Sequence, residues 1–120
     1  MLINDFYTCH DIRQGDHEYN CRIVFNADHG IFKGHFPDHP VVPGVCMMEI
    51  VKELLQSQVN KTLMLSNADN VKFLRLMTPD VQPTIKISWK ENEGGYHANA
   101  TFSMDSSVLF KLAGQYVIAQ

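Results

Sequence analysis

The alternation of apolar and polar residues places most of the elements of this chain. From Glu18 to Asn26 every second residue (Tyr19, Cys21, Ile23, Phe25) is apolar, which is the period-two signature of a strand with one core face. Phe6 to Ile12 is a weaker strand candidate. The Gln14-Gly15-Asp16 turn between the two predicts a hairpin. The pattern then breaks at Asn26 to Gly30, where Asp28 is placed to cap a single turn leading to Ile31 and Phe32. From Gly44 the period changes. Val45, Met47, Met48, Val51, Leu54 and Leu55 recur at helical spacing, with Glu49, Lys52, Glu53 and Gln56 as a polar stripe, so one long helix is expected from Val45 to about Val59, ended by Asn60-Lys61. Cys46, Met47 and Met48 read as core packing.

Beyond the helix everything is strand-like. Leu63 to Leu76 is strand material with a bulge expected near Asn67 to Asn70, and Thr78-Pro79-Asp80 is a turn. Thr84 to Glu91 puts Ile85, Ile87 and Trp89 on one face. Asn92 to Gly95 turns the chain into Tyr96 to Met104, Asp105 to Ser107 turns it again, and Val108 to Ile118 completes the sheet. One helix followed by three or four meandering strands predicts an α+β fold with an antiparallel sheet wrapped around that helix.

At 120 residues the chain is read as a single domain over residues 1–120. A net charge of −3, with no cluster of Lys or Arg, argues against a nucleic-acid partner. No apolar run reaches the roughly 20 residues of a membrane span. The start, MLINDFYTCH, has neither the basic nor the apolar region of a signal peptide. Three cysteines without CxxC spacing read as reduced thiols, so the cytoplasm is the expected location. His10, His17, His29 and His97 sit in no local motif and read as exposed loop or strand residues.

The candidate chemistry lies between His35 and Glu49 (HFPDHPVVPGVCMME). Pro37, Pro40 and Pro43 fix their own φ and bias the residues before them to extended backbone, so His35 to Pro43 should be rigid and non-helical. A titratable imidazole thus stands just ahead of a helix whose free N–H groups and dipole favour negative charge. Metal binding by His29, His35 and His39, with Asp38 or Cys46, is disfavoured. A His-x3-His pair needs a helical face, and Pro37 and Pro40 forbid one.

The segment resembles the active-site motif of the 3-hydroxyacyl-[acyl-carrier-protein] dehydratases of bacterial fatty-acid synthesis. Gly34, His35, Phe36, Pro37, Pro40, Pro43, Gly44, Val45 and Glu49 match in register. A weaker likeness at Val71 to Asp80 matches Lys72, Phe73 and Pro79. The resemblance implies the hotdog fold and loss of water from a (3R)-hydroxyacyl thioester to give a trans-2-enoyl product. It implies His35 as the base at C2, Glu49 as the acid at the C3 hydroxyl, and the Gly44 N–H, with Val45 beside it, as donor to the thioester carbonyl. Phe36 and Phe73 would contribute to the substrate tunnel. Acids and bases of this kind need tuned environments, a neutral imidazole and a carboxyl buried in an apolar channel. No metal or cofactor is implied, because the pantetheine arm arrives on an acyl carrier protein or CoA. The resemblance also implies a homodimer or higher oligomer, with His35 of one chain working beside Glu49 of the other. Lys33, Lys72 and Arg75 are candidates for guiding an acidic carrier.

The residues leave two alternatives open: a thioesterase, which the same fold hosts, and a non-catalytic acyl-binding subunit. Two departures from the motif bear on them. Asp38 stands where the pattern has glycine and adds a negative charge near the tunnel mouth. Glu53 stands where it has glutamine, which would place two carboxylates on adjacent turns and raise the pKa of one.

Overall fold

The computed structural model of the protein describes residues 1–34 and 38–119. The chain runs β1 (Tyr7–Gly15), β2 (Glu18–Phe25), α1 (Gly30–Gly34), α2 (Gly44–Val59), β3 (Leu63–Phe73), β4 (Thr84–Asn92), β5 (Gly95–Met104) and β6 (Ser107–Ile118). The six strands form one antiparallel sheet in the order β1-β2-β4-β5-β6-β3. Alternation sets which face is buried. Ile85, Ile87 and Trp89 of β4 lie inside, as do Tyr96, Ala98, Ala100 and Phe102 of β5. They share one core with Cys46, Met47, Ile50, Val51, Leu54 and Leu55 of α2. Full burial of an aliphatic side chain such as Ile50 or Leu55 stabilises the fold by about 1.5–3 kcal/mol.

Helix α2 starts where the sequence predicts. Pro43 is extended (φ −63°, ψ 144°) and its carbonyl accepts from the N–H groups of Cys46 and Met47. It ends at Asn60, whose left-handed backbone (φ 57°, ψ 42°) turns its N–H back to the Gln56 carbonyl. The stretch ahead of α2 is non-helical over residues 38–43, but it bends at Asp38 and His39 rather than running straight. The β1–β2 hairpin is longer than predicted, turning at Asp16-His17 with a bulge between His10 and Arg13.

The sheet is not a simple meander. β4, β5 and β6 follow one another, but β3 crosses over to pair with β6, so β3 and not β6 forms the edge. The bulge expected near Asn67 to Asn70 is present as register shifts at Leu65/Asn67 and Ala68/Asn70. Gly114 makes this close approach possible, since a Cβ there would meet the Asn67 carbonyl at 2.7 Å.

Candidate active site

The start of α2 is an anion-favouring corner. Its first N–H groups, those of Gly44 and Val45, have no acceptor among the described residues. The corner is held from below by the Val42 N–H, which donates to the Met77 carbonyl at 2.7 Å. It is closed at the side by the Phe73 ring. A Cβ on Gly44 would lie 2.6 Å from Phe73 Cε1, so only glycine lets the ring rest there. Val42, Pro43, Gly44, Met47, Phe73 and Leu76 help line an apolar groove of about 400 Å³ on this side of the helix start.

Glu49 lies one turn further along, in a second groove of about 500 Å³ between α2 and the strands β3 and β6. Its walls are Val45, Met48, Leu63, Met64 and Leu65, with Lys52 and Tyr116 as the other polar residues. Glu49 Oε2 is 3.3 Å from Lys52 Nζ, and the Glu49 side chain is 37% exposed. The burial that an acid role calls for is therefore only partly supplied by this chain. The groove opens beside the edge strand β3.

Of the residues that the sequence singles out, Gly44, Val45, Glu49 and Phe73 surround the start of α2. Gly44 and Phe73 touch in one groove, while Val45 and Glu49 share the other. His35 and Phe36, with Pro37, lie outside the described residues. Phe73 is 54% exposed at the end of the edge strand, so it is wall and not core. Val45 is exposed although its spacing matches the apolar run, and Met48 is half-buried in the Glu49 groove while Cys46 and Met47 are core. Lys33, Lys72 and Arg75 are exposed, and Arg75 borders the Gly44 groove.

Glu53 departs most from expectation. It belongs to no polar stripe and is only 3% exposed. Its carboxylate accepts from the Leu2 N–H at 2.7 Å, the Ile3 N–H at 2.9 Å and the Tyr7 hydroxyl at 3.1 Å. A buried charge is tolerated only when hydrogen-bonded, and these three donors satisfy it. Glu53 therefore clamps the N-terminal segment to α2 and takes no part in the Glu49 groove. His29 likewise differs from the exposed residue expected. Its Nδ1 accepts from the Ile31 N–H at 3.1 Å, capping α1 in place of Asp28, and its Nε2 lies 3.0 Å from Asp5 Oδ2.

The sequence reading missed Tyr116. It is 1% exposed, it lines the Glu49 groove, and its hydroxyl has no hydrogen-bond partner among the described residues. Burial, and then the Glu49 charge, pushes its pKa up to about 12. The one signal available was a tyrosine on the core face of a strand, whose hydroxyl must find a partner somewhere.

A six-stranded antiparallel sheet around one central helix, entered through a proline at the helix start, defines the hotdog class of fold. The profile of the ApeI-like family, described as ApeI dehydratase, matches residues 11–111, and the chain belongs to that family. The dehydratase heterocomplex ApeI:P from Xenorhabdus doucetiae shares the fold, with a TM-score of 0.78 at 20% identity over 92% of this chain and 97% of that one. A protein from Erwinia carotovora subsp. atroseptica does so at a TM-score of 0.62 and 17% identity, over 93% of this chain and 92% of that one. Among curated proteins, the 3-hydroxyacyl-[acyl-carrier-protein] dehydratase FabZ of Oenococcus oeni is 36% identical over 80 residues, 58% of each chain. That of Rickettsia typhi is 41% identical over 56 residues, 40% of this chain and 39% of the relative. The chain thus spans about half the length of the curated relatives it matches.

Proposed function

We propose that the protein is a subunit of a 3-hydroxyacyl-thioester dehydratase. His35 takes a proton from C2 while Glu49, in its acid form, gives one to the C3 hydroxyl. The C3–O bond breaks, the C2–C3 double bond forms, and water leaves. The Gly44 and Val45 N–H groups bind the thioester carbonyl and stabilise the charge that develops on it. The observation that carries this reading is the placement of Glu49, in one apolar groove, a turn beyond two N–H groups without acceptors among the described residues at the head of the same helix, beside a second apolar groove. An acyl chain fits such walls, and the reaction needs a carboxyl and a carbonyl-binding corner this close together.

We further propose that the working form is a homodimer acting on substrates carried by an acyl carrier protein or CoA in the cytoplasm. Among the described residues β3 has a partner on one side only, and it is a long edge. Met64 and Phe73 on it are exposed, as are Leu74 and Leu76 beyond it and Val45 next to it. Unpaired apolar edges of this length are association surfaces. A second copy docked there would cover the Glu49 groove, and the family resemblance implies that its His35 works beside Glu49. Cys9, Cys21 and Cys46 are all free thiols, which suits a reducing compartment, and no helix among the described residues is long and apolar enough to cross a membrane.

The test is turnover of a 3-hydroxyacyl thioester by wild type, His35→Ala and Glu49→Gln, with enoyl product and free thiol followed in parallel. The reading predicts enoyl formation that falls by roughly 10²–10⁴ in each variant. Thiol release that survives His35→Ala would make the protein a thioesterase. Binding without any turnover would make it an acyl-binding subunit.

A further inference from the structure

We propose that Tyr116 is a substrate-binding residue of the same groove, donating a hydrogen bond to the C3 oxygen of a 3-hydroxyacyl group held between its hydroxyl and the Glu49 carboxyl. This rests on the dehydratase reading above and adds to it an oxygen subsite with two donors.

The register places Tyr116 near the end of β6, beside the edge strand, opposite Tyr96 on β5 and Leu65 on β3. It is almost fully buried, yet it lines the groove that contains Glu49. The contrast with Tyr7 is informative. In the same core, the buried Tyr7 hydroxyl donates to Glu53 at 3.1 Å, whereas the Tyr116 hydroxyl is unpartnered among the described residues. Buried donors without acceptors are rare and destabilising, and those that persist call for a functional or bound partner. No hydrogen bond joins Tyr116 to Glu49, although both line the same groove. An oxygen lying between the two can accept from both.

The chemistry needs such a subsite. When the C3–O bond breaks, the oxygen takes a proton from Glu49 and leaves as water. Tyr116 keeps its own proton throughout and donates only a hydrogen bond to that oxygen. Burial keeps the phenol protonated across the neutral range, so it remains a donor. In the reverse direction the same two groups orient the attacking water. The other hydrogen-bonding side chain of the groove, Lys52, is already engaged with Glu49.

The test compares binding of two amide analogues of the pantetheine thioester, 3-hydroxyhexanoyl and hexanoyl, to wild type and Tyr116→Phe by calorimetry. Nitrogen replaces the thioester sulfur, so binding is read apart from turnover. Wild type should prefer the 3-hydroxy analogue by about tenfold, and Tyr116→Phe should lose that preference while binding the hexanoyl analogue as before. Thermal unfolding of Tyr116→Phe should be unchanged or shifted upward, since an unpartnered buried hydroxyl is removed. Equal preference in both proteins, or none in wild type, overturns the assignment. Failure of the dehydratase reading is distinguishable, because it would appear as absent enoyl formation by wild type whatever the binding preference.

Discussion

Glu49 and Glu53 stand one helical turn apart, and the structure gives them different surroundings. Replacing Glu53 should therefore cost stability and spare chemistry. In Glu53→Ala the Leu2 and Ile3 N–H groups lose a charged acceptor, and the buried Tyr7 hydroxyl is left without a partner. A hydrogen bond to a charged group is worth about 1.5–3 kcal/mol net, and a stranded buried hydroxyl costs about 1–3 kcal/mol. Part of this is offset because the carboxylate no longer has to be desolvated. The balance is a loss of about 3 kcal/mol, or a fall in Tm on the order of 10 °C for a domain of this size. Glu53→Gln keeps the shape but can offer only one carbonyl oxygen to three donors, so it should fall between Ala and wild type. Urea unfolding measures the first effect, and hydrogen exchange at Leu2 and Ile3 should show the segment released. Dehydratase turnover per folded molecule should stay within about twofold of wild type, whereas Glu49→Gln loses it. A Glu53→Ala protein as stable as wild type, or one folded but inactive, would refute this division of roles.

Three other outcomes are expected. Gly44→Ala brings a Cβ to 2.6 Å from Phe73 Cε1 and so displaces the ring or tilts the helix start; kcat/KM should drop at least about tenfold, with part restored when Phe73→Ala is added, as steady-state kinetics on the double-mutant cycle would show. Burial raises the pKa of Tyr7, Tyr19 and Tyr116 above the ordinary 10.0, that of Tyr116 to about 12. The folded state therefore holds protons that the unfolded state gives up first, and stability should be intact below pH 10 and fall as pH rises toward 12. Ultraviolet titration alongside circular dichroism should show these phenolates appearing only as the fold is lost, and ionisation of all four tyrosines near pH 10 with the fold intact would contradict it. Finally, Met64→Lys and Leu76→Lys on the exposed apolar edge should turn a dimer into monomers in sedimentation velocity without lowering the monomer's own stability by more than about 0.5 kcal/mol.

What could be read from the chain was local. Helix α2 announced itself through Pro43, its apolar period and Asn60, and the strands through alternation at Tyr19 to Phe25 and Ile85 to Trp89. The hotdog architecture followed from that pattern together with the family motif. What escaped depends on contacts between residues far apart in sequence. The burial of Glu53 is decided by backbone donors about 50 positions away, which no helical period reveals. The crossover that puts β3 beside β6 is a pairing between distant segments, so a sequential meander was the natural but incorrect reading of the edge. His29 caps α1 because its ring reaches the Ile31 N–H, a role for which Asp28 has the commoner side chain. Tyr116 was unremarked because its significance is the lack of a partner, which exists only in three dimensions. Of the candidate site, the clustering of Gly44, Val45, Glu49 and Phe73 was legible because the motif puts them on one helix start and the strand end beside it.

In the proposed dimer, a complete site draws its imidazole and its carboxyl from two copies of the chain. Mixing His35→Ala with Glu49→Gln, each inactive alone, measures this directly after subunits have exchanged. In a mixed pair one site carries both substitutions and the other carries neither, and half of random pairs are mixed, so the account predicts recovery to about a quarter of wild-type turnover. Mixtures that form pairs yet stay as inactive as their parents would contradict it.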